Sequence, residues 1–381
     1  MTHLDALQRT GIRRLGSPKS GLRWKGARKA DLGRLEALKL PPAWTDVHVS
    51  RDPKAKLQAI GKDKAGRWQY RYSDGAVRER ERKKHRRLMA FARALPALRR
   101  EVERGLSLRG LPREKVMACI LRILSTCFMR PGSETYAREN GSFGITTLQN
   151  RHAQVRGDTI TFDFKGKSGQ QQTRELKDRR VAHAIRELKK LPGKELFQWI
   201  ADDGAVVKVT RQALNDSLKE VMGERFSAKD FRTWAGTMIC ANVLARLHGE
   251  IVAGRTDKRR MITAAVRETA AQLGNTPAVC KSSYIWPSIL GSFYKGRVLE
   301  PHFPTVDALL GCASTKLGRC EAGLVSLLRN GGDATPVALA KKLARRGRER
   351  NGNGKLAREM RKPALRRLAR AFDAGHAHSG H

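Results

Sequence analysis

The spacing of apolar residues changes near residue 73, and this change constrains the fold more than any other feature of the chain. Before it, apolar and polar residues alternate, which predicts three short β-strands over 44–49, 56–60 and 67–72. From Lys83 onwards a helical period dominates. The sequence therefore predicts an α+β fold, in which a small N-terminal β-sheet domain precedes a mainly α-helical domain with a short β-hairpin segment.

Changes in composition predict the domain boundaries. Residues 1–35 are basic and rich in glycine, so we expect a flexible arm there. The β-rich domain is predicted over 36–82 and the helical domain over 83–304. Residues 305–381 are predicted to form a mobile basic tail, because the stretch 341–370 is crowded with lysine and arginine.

The net charge of the chain indicates the class of its partner. Lysine and arginine number 77 against 36 acidic residues, which gives a net charge of +41. Such a charge predicts binding to a polyanion, and nucleic acid is the one we expect. We expect no membrane partner, because no stretch approaches the roughly 20 apolar residues of a spanning helix and the N-terminus lacks the apolar core of a signal peptide. A cytoplasmic, nucleoid-associated protein is therefore predicted.

Neither cysteines nor carboxylates indicate a bound metal. The six cysteines include no Cys-x-x-Cys pair, and no cluster of Asp and Glu offers the paired carboxylates of a two-metal nuclease. The segment Gly166-Lys167-Ser168 resembles the end of a nucleotide-binding P-loop, but Thr161 stands where that loop needs a glycine. We therefore expect no metal and no cofactor.

Two short cationic signatures lie at the ends of predicted elements. Arg130 is part of Phe-Met-Arg-Pro-Gly, into which a helix runs until Pro131 ends it. Lys167 is part of Phe-Lys-Gly-Lys-Ser-Gly, the predicted tip of a hairpin that follows strands over 153–155 and 159–164. Arg130 is thus expected at a helix end and Lys167 on a hairpin tip.

Arg232 and Tyr284 complete a set of side chains suited to phosphodiester chemistry. Arg232 lies in Lys-Asp-Phe-Arg-Thr-Trp, and Tyr284 follows an Asn-Thr-Pro turn and a lysine. Two arginines neutralise the charge that grows on the phosphorus oxygens, a lysine protonates the leaving alkoxide, and a tyrosine becomes a covalent phosphoester. Taken singly, each residue has an ordinary alternative: Lys167 as a solvated turn residue, Arg232 as the ion-pair partner of Asp230, and Tyr284 as a core residue.

The last predicted strand of the first domain is a candidate nucleic-acid surface. Its alternation places three aromatic residues on one face and three polar residues on the other: Trp68, Tyr70 and Tyr72 against Arg67, Gln69 and Arg71. Glutamine and arginine can pair with base edges in the major groove. The alternative is a solvated polar face over an aromatic core.

In this order, the signatures resemble the type IB DNA topoisomerases, in particular the compact poxvirus-like branch found in bacteria. The resemblance covers about residues 24–299. Besides the four signatures it includes Pro-Pro-Ala-Trp at 41–44, Leu-Gln-Ala-Ile-Gly-Lys-Asp at 57–63, Gly-Arg-Trp-Gln-Tyr-Arg-Tyr at 66–72 and Tyr-Ala-Arg-Glu-Asn-Gly-Ser-Phe-Gly at 136–144.

The resemblance implies a role for each candidate residue. Tyr284 matches the nucleophile that forms a 3′-phosphotyrosyl link, Arg130 and Arg232 match the arginines that stabilise the transition state, and Lys167 matches the general acid that works with Arg130. Asn275 stands where viral members carry a histidine and bacterial members an asparagine, whose amide can still donate a hydrogen bond. The DNA contacts implied by the family fall on Gln69, Tyr70, Tyr72 and Tyr136.

The implied activity is relaxation of supercoiled duplex DNA without ATP or metal, by a monomer that clamps the duplex and cuts one strand transiently. Two other functions stay open. A tyrosine recombinase shares the catalytic fold but has a His-x-x-Arg motif at the second arginine, where this chain has Lys229 three residues before Arg232. A non-enzymatic nucleoid-binding protein needs only the charge.

Overall fold

The computed structural model describes residues 3–18, 20–223, 226–252, 257–311 and 318–330. The described chain is α+β, as predicted, with an antiparallel sheet near its N-terminus followed by a mainly helical part that contains two smaller sheets. No helix in these ranges combines the length and apolar character that crossing a bilayer requires.

The N-terminal sheet has five antiparallel strands in the order β2-β1-β3-β4-β5. They are β1 (Ile12–Ser17), β2 (Gly21–Lys25), β3 (Thr45–Val49), β4 (Leu57–Lys62) and β5 (Trp68–Tyr72), with helices α1 (His3–Thr10) and α2 (Leu32–Ala37). The sheet is held together by a small core that includes Ile12, Val49 and Ala59, covered by Leu35 of α2. The three strands predicted from the two-residue period are confirmed.

The prediction of a flexible arm over residues 1–35 is wrong for the described part of that segment. Ile12 is fully buried and pairs with Val49 in the register between β1 and β3. Arg14 turns its guanidinium inward, where Nη2 donates to the carbonyl oxygens of Pro41 at 3.0 Å and Trp44 at 2.7 Å. A basic composition predicts a solvated arm only if the charged side chains are in water. Arg14 is instead buried against backbone acceptors, and its segment forms a strand.

Eleven of the described helices follow the sheet. They are α3 (Asp74–Leu106), α4 (Arg113–Cys127), α5 (Glu134–Asn140), α6 (Arg179–Leu188), α7 (Arg211–Met222), α8 (Ala228–Val252), α9 (Lys258–Leu273), α10 (Pro277–Ser283), α11 (Pro287–Tyr294), α12 (Val306–Gly311) and α13 (Arg319–Asn330). Helix α3 begins directly after β5, and the Ser73 side chain caps it by accepting from the Ala76 backbone N–H. The long helix therefore continues the polypeptide from the sheet into the helical part.

A three-stranded antiparallel sheet interrupts the helices. It consists of β6 (Ala153–Arg156), β7 (Thr159–Lys165) and β8 (Gln171–Lys177), and a two-stranded sheet of β9 (Gln198–Ile200) and β10 (Val206–Lys208) follows it. The predicted hairpin is confirmed, with residues 166–170 forming the turn between β7 and β8. Phe162 of β7 is fully buried opposite Arg174 of β8, so one face of this sheet points inward.

Three predicted boundaries differ from the structure. Helix α3 begins at Asp74, well before Lys83, where the helical domain is predicted to begin. Helix α4 ends at Cys127, three residues before Arg130, because Phe128 adopts a left-handed conformation with φ 51°. The predicted mobile tail after residue 304 is wrong for α12 and α13. The rest of that tail, residues 331–381, lies outside the described residues.

Helix α13 is anchored by one buried carboxylate. Glu321 accepts two hydrogen bonds from Arg99 of α3, at 2.8 and 2.7 Å, and one from the Trp234 indole of α8 at 3.4 Å. A bidentate arginine–carboxylate pair of this kind is directional as well as charged. The segment around Glu321 is therefore packed on the same helix that carries Arg232.

Candidate active site

Four of the five predicted catalytic residues come together at the turn between α9 and α10, and they are Arg130, Arg232, Asn275 and Tyr284. Gly274 ends α9 in a left-handed conformation with φ 59°, which a glycine adopts without steric penalty. The carbonyl groups of Leu273 and Gly274 then point to two arginines from distant parts of the chain. This turn is the centre around which the site is built.

Arg232 is buried beneath the turn. It is 3% exposed, its Nη2 donates to the Leu273 carbonyl oxygen at 2.8 Å, and its Nη1 donates to the Phe128 carbonyl oxygen. Burial, followed by the charge of Arg130, lowers the pKa of Arg232 to about 10, so the guanidinium is still protonated at neutral pH. Two neutral carbonyl groups therefore orient this cation without cancelling its charge.

Arg130 reaches the same turn from the segment after α4. Its Nη2 donates to the Gly274 carbonyl oxygen at 3.2 Å and to Oδ1 of Asn275 at 2.5 Å. The backbone of Arg130 is fixed in turn, because its carbonyl oxygen accepts from the Ile145 backbone N–H at 2.9 Å. Asn275 Nδ2 is buried and has no hydrogen-bond partner among the described residues.

Tyr284 lies directly after α10, at the edge of the same cluster. Its ring centroid is 4.9 Å from Cζ of Arg232, which is a cation–π distance. Its carbonyl oxygen accepts from Thr237 Oγ1 of α8 at 3.2 Å. One helix, α8, thus supplies the buried arginine and fixes the backbone of the half-buried tyrosine.

Lys167 projects from the tip of the β7–β8 hairpin. Its side chain is exposed and makes no hydrogen bond or ion pair with a described residue. Gln172 connects the tip to the turn: a methyl group added at Gly166 would lie 2.7 Å from Gln172 Cγ, and one added at Gly274 would lie 2.4 Å from Gln172 Oε1. The hairpin tip that carries Lys167 is therefore connected to the turn through Gln172, but the lysine side chain itself forms no hydrogen bond or ion pair with the arginine cluster.

Arg174 is a further member of the cluster, and the sequence patterns did not predict it. A methyl group added at Gly274 would lie 2.7 Å from Arg174 Nη2, so this guanidinium packs on the turn. Burial lowers the pKa of Arg174, and the charge of Arg130 lowers it further. The strand period held a signal, because Arg174 has the same parity on β8 as the buried Leu176.

None of the three arginines forms an ion pair with a carboxylate of the described residues. Asp230, the predicted alternative partner of Arg232, instead accepts from Arg87 Nε at 2.6 Å and Nη2 at 2.8 Å. The interpretation of Arg232 as an ion-paired helix residue is therefore wrong. A cluster of unpaired cations beside a tyrosine hydroxyl can hold an anion and stabilise further negative charge on it.

The predicted DNA-contact residues lie on β5 and α5, which are not among the elements that form this cluster. Tyr136 is 64% exposed and Tyr70 is 46% exposed, and Tyr72 stacks on Tyr70 with ring centroids 6.4 Å apart. Gln69 Nε2 donates to Asp63 Oδ2 at 2.9 Å. The exposure of Tyr70 rules out the alternative in which it belongs to a buried aromatic core.

Two family models match the chain. A model described as the catalytic core of eukaryotic DNA topoisomerase I matches residues 73–286. A second, described as the N-terminal domain of bacterial DNA topoisomerase IB, matches residues 25–63. The first range contains all five predicted catalytic residues, and the second begins within the segment expected to be a flexible arm.

Named relatives agree with these models. The DNA topoisomerase 1B of Acanthamoeba polyphaga mimivirus is 36% identical over 260 residues, which are 67% of this chain and 77% of the viral protein. The DNA topoisomerase I of monkeypox virus is 23% identical over 261 residues, or 67% of this chain and 80% of that protein.

Among solved structures, a complex of the XerH site-specific recombinase with palindromic difH substrate is similar at a TM-score of 0.30. The sequence identity is 15%, and the match covers 50% of this chain and 47% of the recombinase.

Proposed function

Because the chain belongs to the type IB DNA topoisomerase family, we propose that it relaxes supercoiled duplex DNA by cutting and resealing one strand through Tyr284. The observation that carries the assignment is the position of Tyr284 against Arg232. The ring centroid lies 4.9 Å from a guanidinium that is 3% exposed and bound to two neutral carbonyl groups. Such a cation is preorganised for charge that develops beside the tyrosine oxygen.

In the cleavage step, Tyr284 Oη loses its proton to solvent and attacks the scissile phosphorus. An oxygen–phosphorus bond forms on the 3′ side of the cut while the bond to the 5′ oxygen breaks. Arg130 and Arg232 stabilise the negative charge on the nonbridging oxygens in the pentacoordinate transition state. Asn275, whose Nδ2 is buried without a partner among the described residues, supplies a further uncharged donor.

Lys167 is the proposed acid that protonates the departing 5′ oxygen. Its ammonium group has no partner among the described residues, and it stands on a hairpin tip that Gln172 connects to the turn. Because the side chain is exposed and has no such partner, its ammonium group can contact the 5′ oxygen once a duplex lies across the site. We therefore propose that the acid takes its place as the duplex binds.

Strand rotation and religation complete the cycle. The free 5′ end turns about the intact strand while torsion is released, and its hydroxyl then attacks the phosphotyrosine. One phosphoester replaces another at each step, so the bond energy is conserved and ATP is not consumed. The charges that stabilise the transition state are supplied by side chains, so the proposed mechanism assigns no step to a metal ion.

The partner is double-stranded DNA, which we propose is clamped by a single copy of the chain. The exposed Tyr70 and Tyr136 support DNA contacts from both the sheet and the helical part, with Tyr72 and Gln69 beside Tyr70. The net charge of +41 supports a protein that stays on chromosomal DNA, in the nucleoid of the cytoplasm.

A plasmid relaxation assay without ATP or magnesium tests this function. We expect stepwise relaxation of both positively and negatively supercoiled plasmid, together with a covalent protein–DNA adduct when the reaction is stopped with detergent. Recombined products without steady relaxation would support a tyrosine recombinase. Binding that shifts the plasmid without changing its linking number would support a nucleoid-binding protein.

A further inference from the structure

Arg174 lies at the same turn as Arg130 and Arg232. Its Nη2 would be 2.7 Å from a methyl group added at Gly274, the residue whose carbonyl oxygen accepts from Arg130 Nη2 at 3.2 Å. Arg232 Nη2 donates to the preceding carbonyl, that of Leu273, at 2.8 Å. The three guanidinium groups thus surround two consecutive peptide groups.

The surroundings of Arg174 do not suit an arginine that only stabilises the fold. On β8 it lies opposite the fully buried Phe162, and the next residue of the same parity is the buried Leu176. Its described hydrogen bond goes to a neutral group, from Nη2 to Gln172 Oε1 at 3.0 Å. Arg174 is partly buried, and no carboxylate of the described residues forms an ion pair with it, although a charge withdrawn from water is costly for folding unless it is paired.

The same turn also holds polar donors that lack acceptors. Arg232 Nε and Asn275 Nδ2 are both buried and have no hydrogen-bond partner among the described residues. Arg232 is 3% exposed, so water does not readily satisfy it. Three cations and two donors without partners, all at one turn, fit an anion with several oxygens, and a phosphate group has that chemistry.

We propose that Arg174 is a third cation of the phosphate site and stabilises the negative charge of the scissile phosphate during cleavage. This inference rests on the proposed function, because it takes Tyr284 as the residue that attacks that phosphate. Arg174 raises the number of positively charged side chains at the site from two to three. Asn275 can donate a hydrogen bond to a phosphate oxygen but carries no charge.

A second route by which Arg174 could affect cleavage runs through Gln172. That residue touches both the hairpin tip at Gly166 and the turn at Gly274, and it accepts the hydrogen bond from Arg174. Loss of Arg174 would then displace Lys167 rather than weaken the phosphate site. The two routes predict opposite responses to changes in the DNA substrate.

Single-turnover cleavage by Arg174→Met on three DNA duplexes separates the two routes. On ordinary DNA we expect a rate at least about tenfold below wild type, as for loss of a preorganised charge. On DNA with a neutral methylphosphonate at the cleavage site, the variant and wild type should converge, because the charge that Arg174 stabilises is absent. With a 5′-bridging sulfur, which leaves without an acid, the defect should persist.

Two results would overturn the proposal. One is cleavage of ordinary DNA at the wild-type rate. The other is a defect that persists on the methylphosphonate but disappears with the bridging sulfur, since that pattern identifies Arg174 as a positioning residue for Lys167. Arg174→Gln, a second neutral variant that can still hydrogen-bond Gln172, should behave as Arg174→Met does and serves if that protein does not fold.

The matched control is Arg156→Met. Arg156 is an exposed arginine of the same small sheet, at the end opposite the hairpin tip, and its loss should leave all three rates unchanged. Wild-type protein that forms no adduct on any duplex would instead refute the proposed function itself. Failure of the Arg174 inference and failure of the topoisomerase assignment are therefore distinguishable.

Discussion

Arg232 is held by two backbone carbonyl groups where a structural arginine would ordinarily meet a carboxylate. The carbonyl oxygens of Phe128 and Leu273 fix its direction, and its neighbour in sequence, Asp230, pairs with Arg87. A neutral acceptor orients a guanidinium without removing its charge. At the scale of single residues, this arrangement keeps the positive charge of Arg232 unpaired, as the proposed binding of a phosphate requires.

Substituting either arginine tests this arrangement. Arg130→Ala and Arg232→Ala should each slow single-turnover cleavage by a factor on the order of 10² or more, the usual loss for one preorganised donor to a developing anion. Arg211→Ala, which removes an exposed arginine of α7, is the control and should cleave normally. Near wild-type cleavage in either site variant would leave that arginine with a structural role only.

The proposed acid has a chemically selective test. Lys167→Ala should cut ordinary DNA very slowly, because a 5′ alkoxide leaves poorly without a proton. On DNA with a 5′-bridging sulfur it should approach the wild-type rate, because a thiolate leaves unaided. A lysine that only attracts DNA would leave both substrates equally impaired, and that result would remove Lys167 from the acid role.

Among the helices and strands, α8 is the element that positions both Arg232 and Tyr284. It carries Arg232, and its Gly236 allows the backbone of Tyr284 to approach closely. A methyl group added at Gly236 would lie 2.8 Å from the Tyr284 carbonyl oxygen and 3.0 Å from its Cβ. The position of the tyrosine therefore depends on the absence of a side chain one turn along the helix from the arginine.

Gly236→Ala should consequently impair both stability and cleavage. Overpacking costs typically about 1–3 kcal/mol, which outweighs the roughly 1 kcal/mol that alanine gains over glycine in a helix. Thermal unfolding and adduct formation by the same protein measure the two effects. Gly249→Ala is the matched control on α8, because a methyl group there meets no atom within 4 Å, and it should leave cleavage unchanged.

Sequence patterns predicted the elements whose signals are local. The strands of 44–72 and the β7–β8 hairpin follow from alternation and turn residues. Strand β1 was not predicted, because the basic composition of its segment is typical of a solvated arm. The Arg14 side chain is instead buried against the carbonyl groups of Pro41 and Trp44. Arg174 was not predicted as a site residue, because its neighbour in space, Gly274, lies a hundred residues further along the chain.

At the scale of the whole molecule, the basic C-terminal region divides into two parts. Helix α13 is bound to the helical part through Glu321, which Arg99 and Trp234 hold. The lysines and arginines of 341–370 follow it in the sequence. The first part is therefore expected to support the fold around α8, and the second to strengthen DNA binding through phosphate contacts.

Two truncations separate these parts. Removal of residues 331–381 should keep adduct formation at low salt but flatten the salt dependence of DNA binding, since each phosphate contact contributes about −0.9 to the slope of log K against log salt. Removal of everything after residue 304 should also lower the melting temperature, because it deletes Glu321. A protein truncated at 330 that binds DNA normally but forms no adduct would contradict this division.

A covalent-adduct assay tests whether Tyr284 is the residue that becomes linked to the cut DNA strand. The chain has five tyrosines, and the control is Tyr294→Phe, a change in α11 ten residues further on. We predict that wild type and Tyr294→Phe form the adduct, with the nucleotide on the Tyr284 peptide, and that Tyr284→Phe binds duplex DNA yet forms none. An adduct that persists in Tyr284→Phe would show that another residue is the nucleophile.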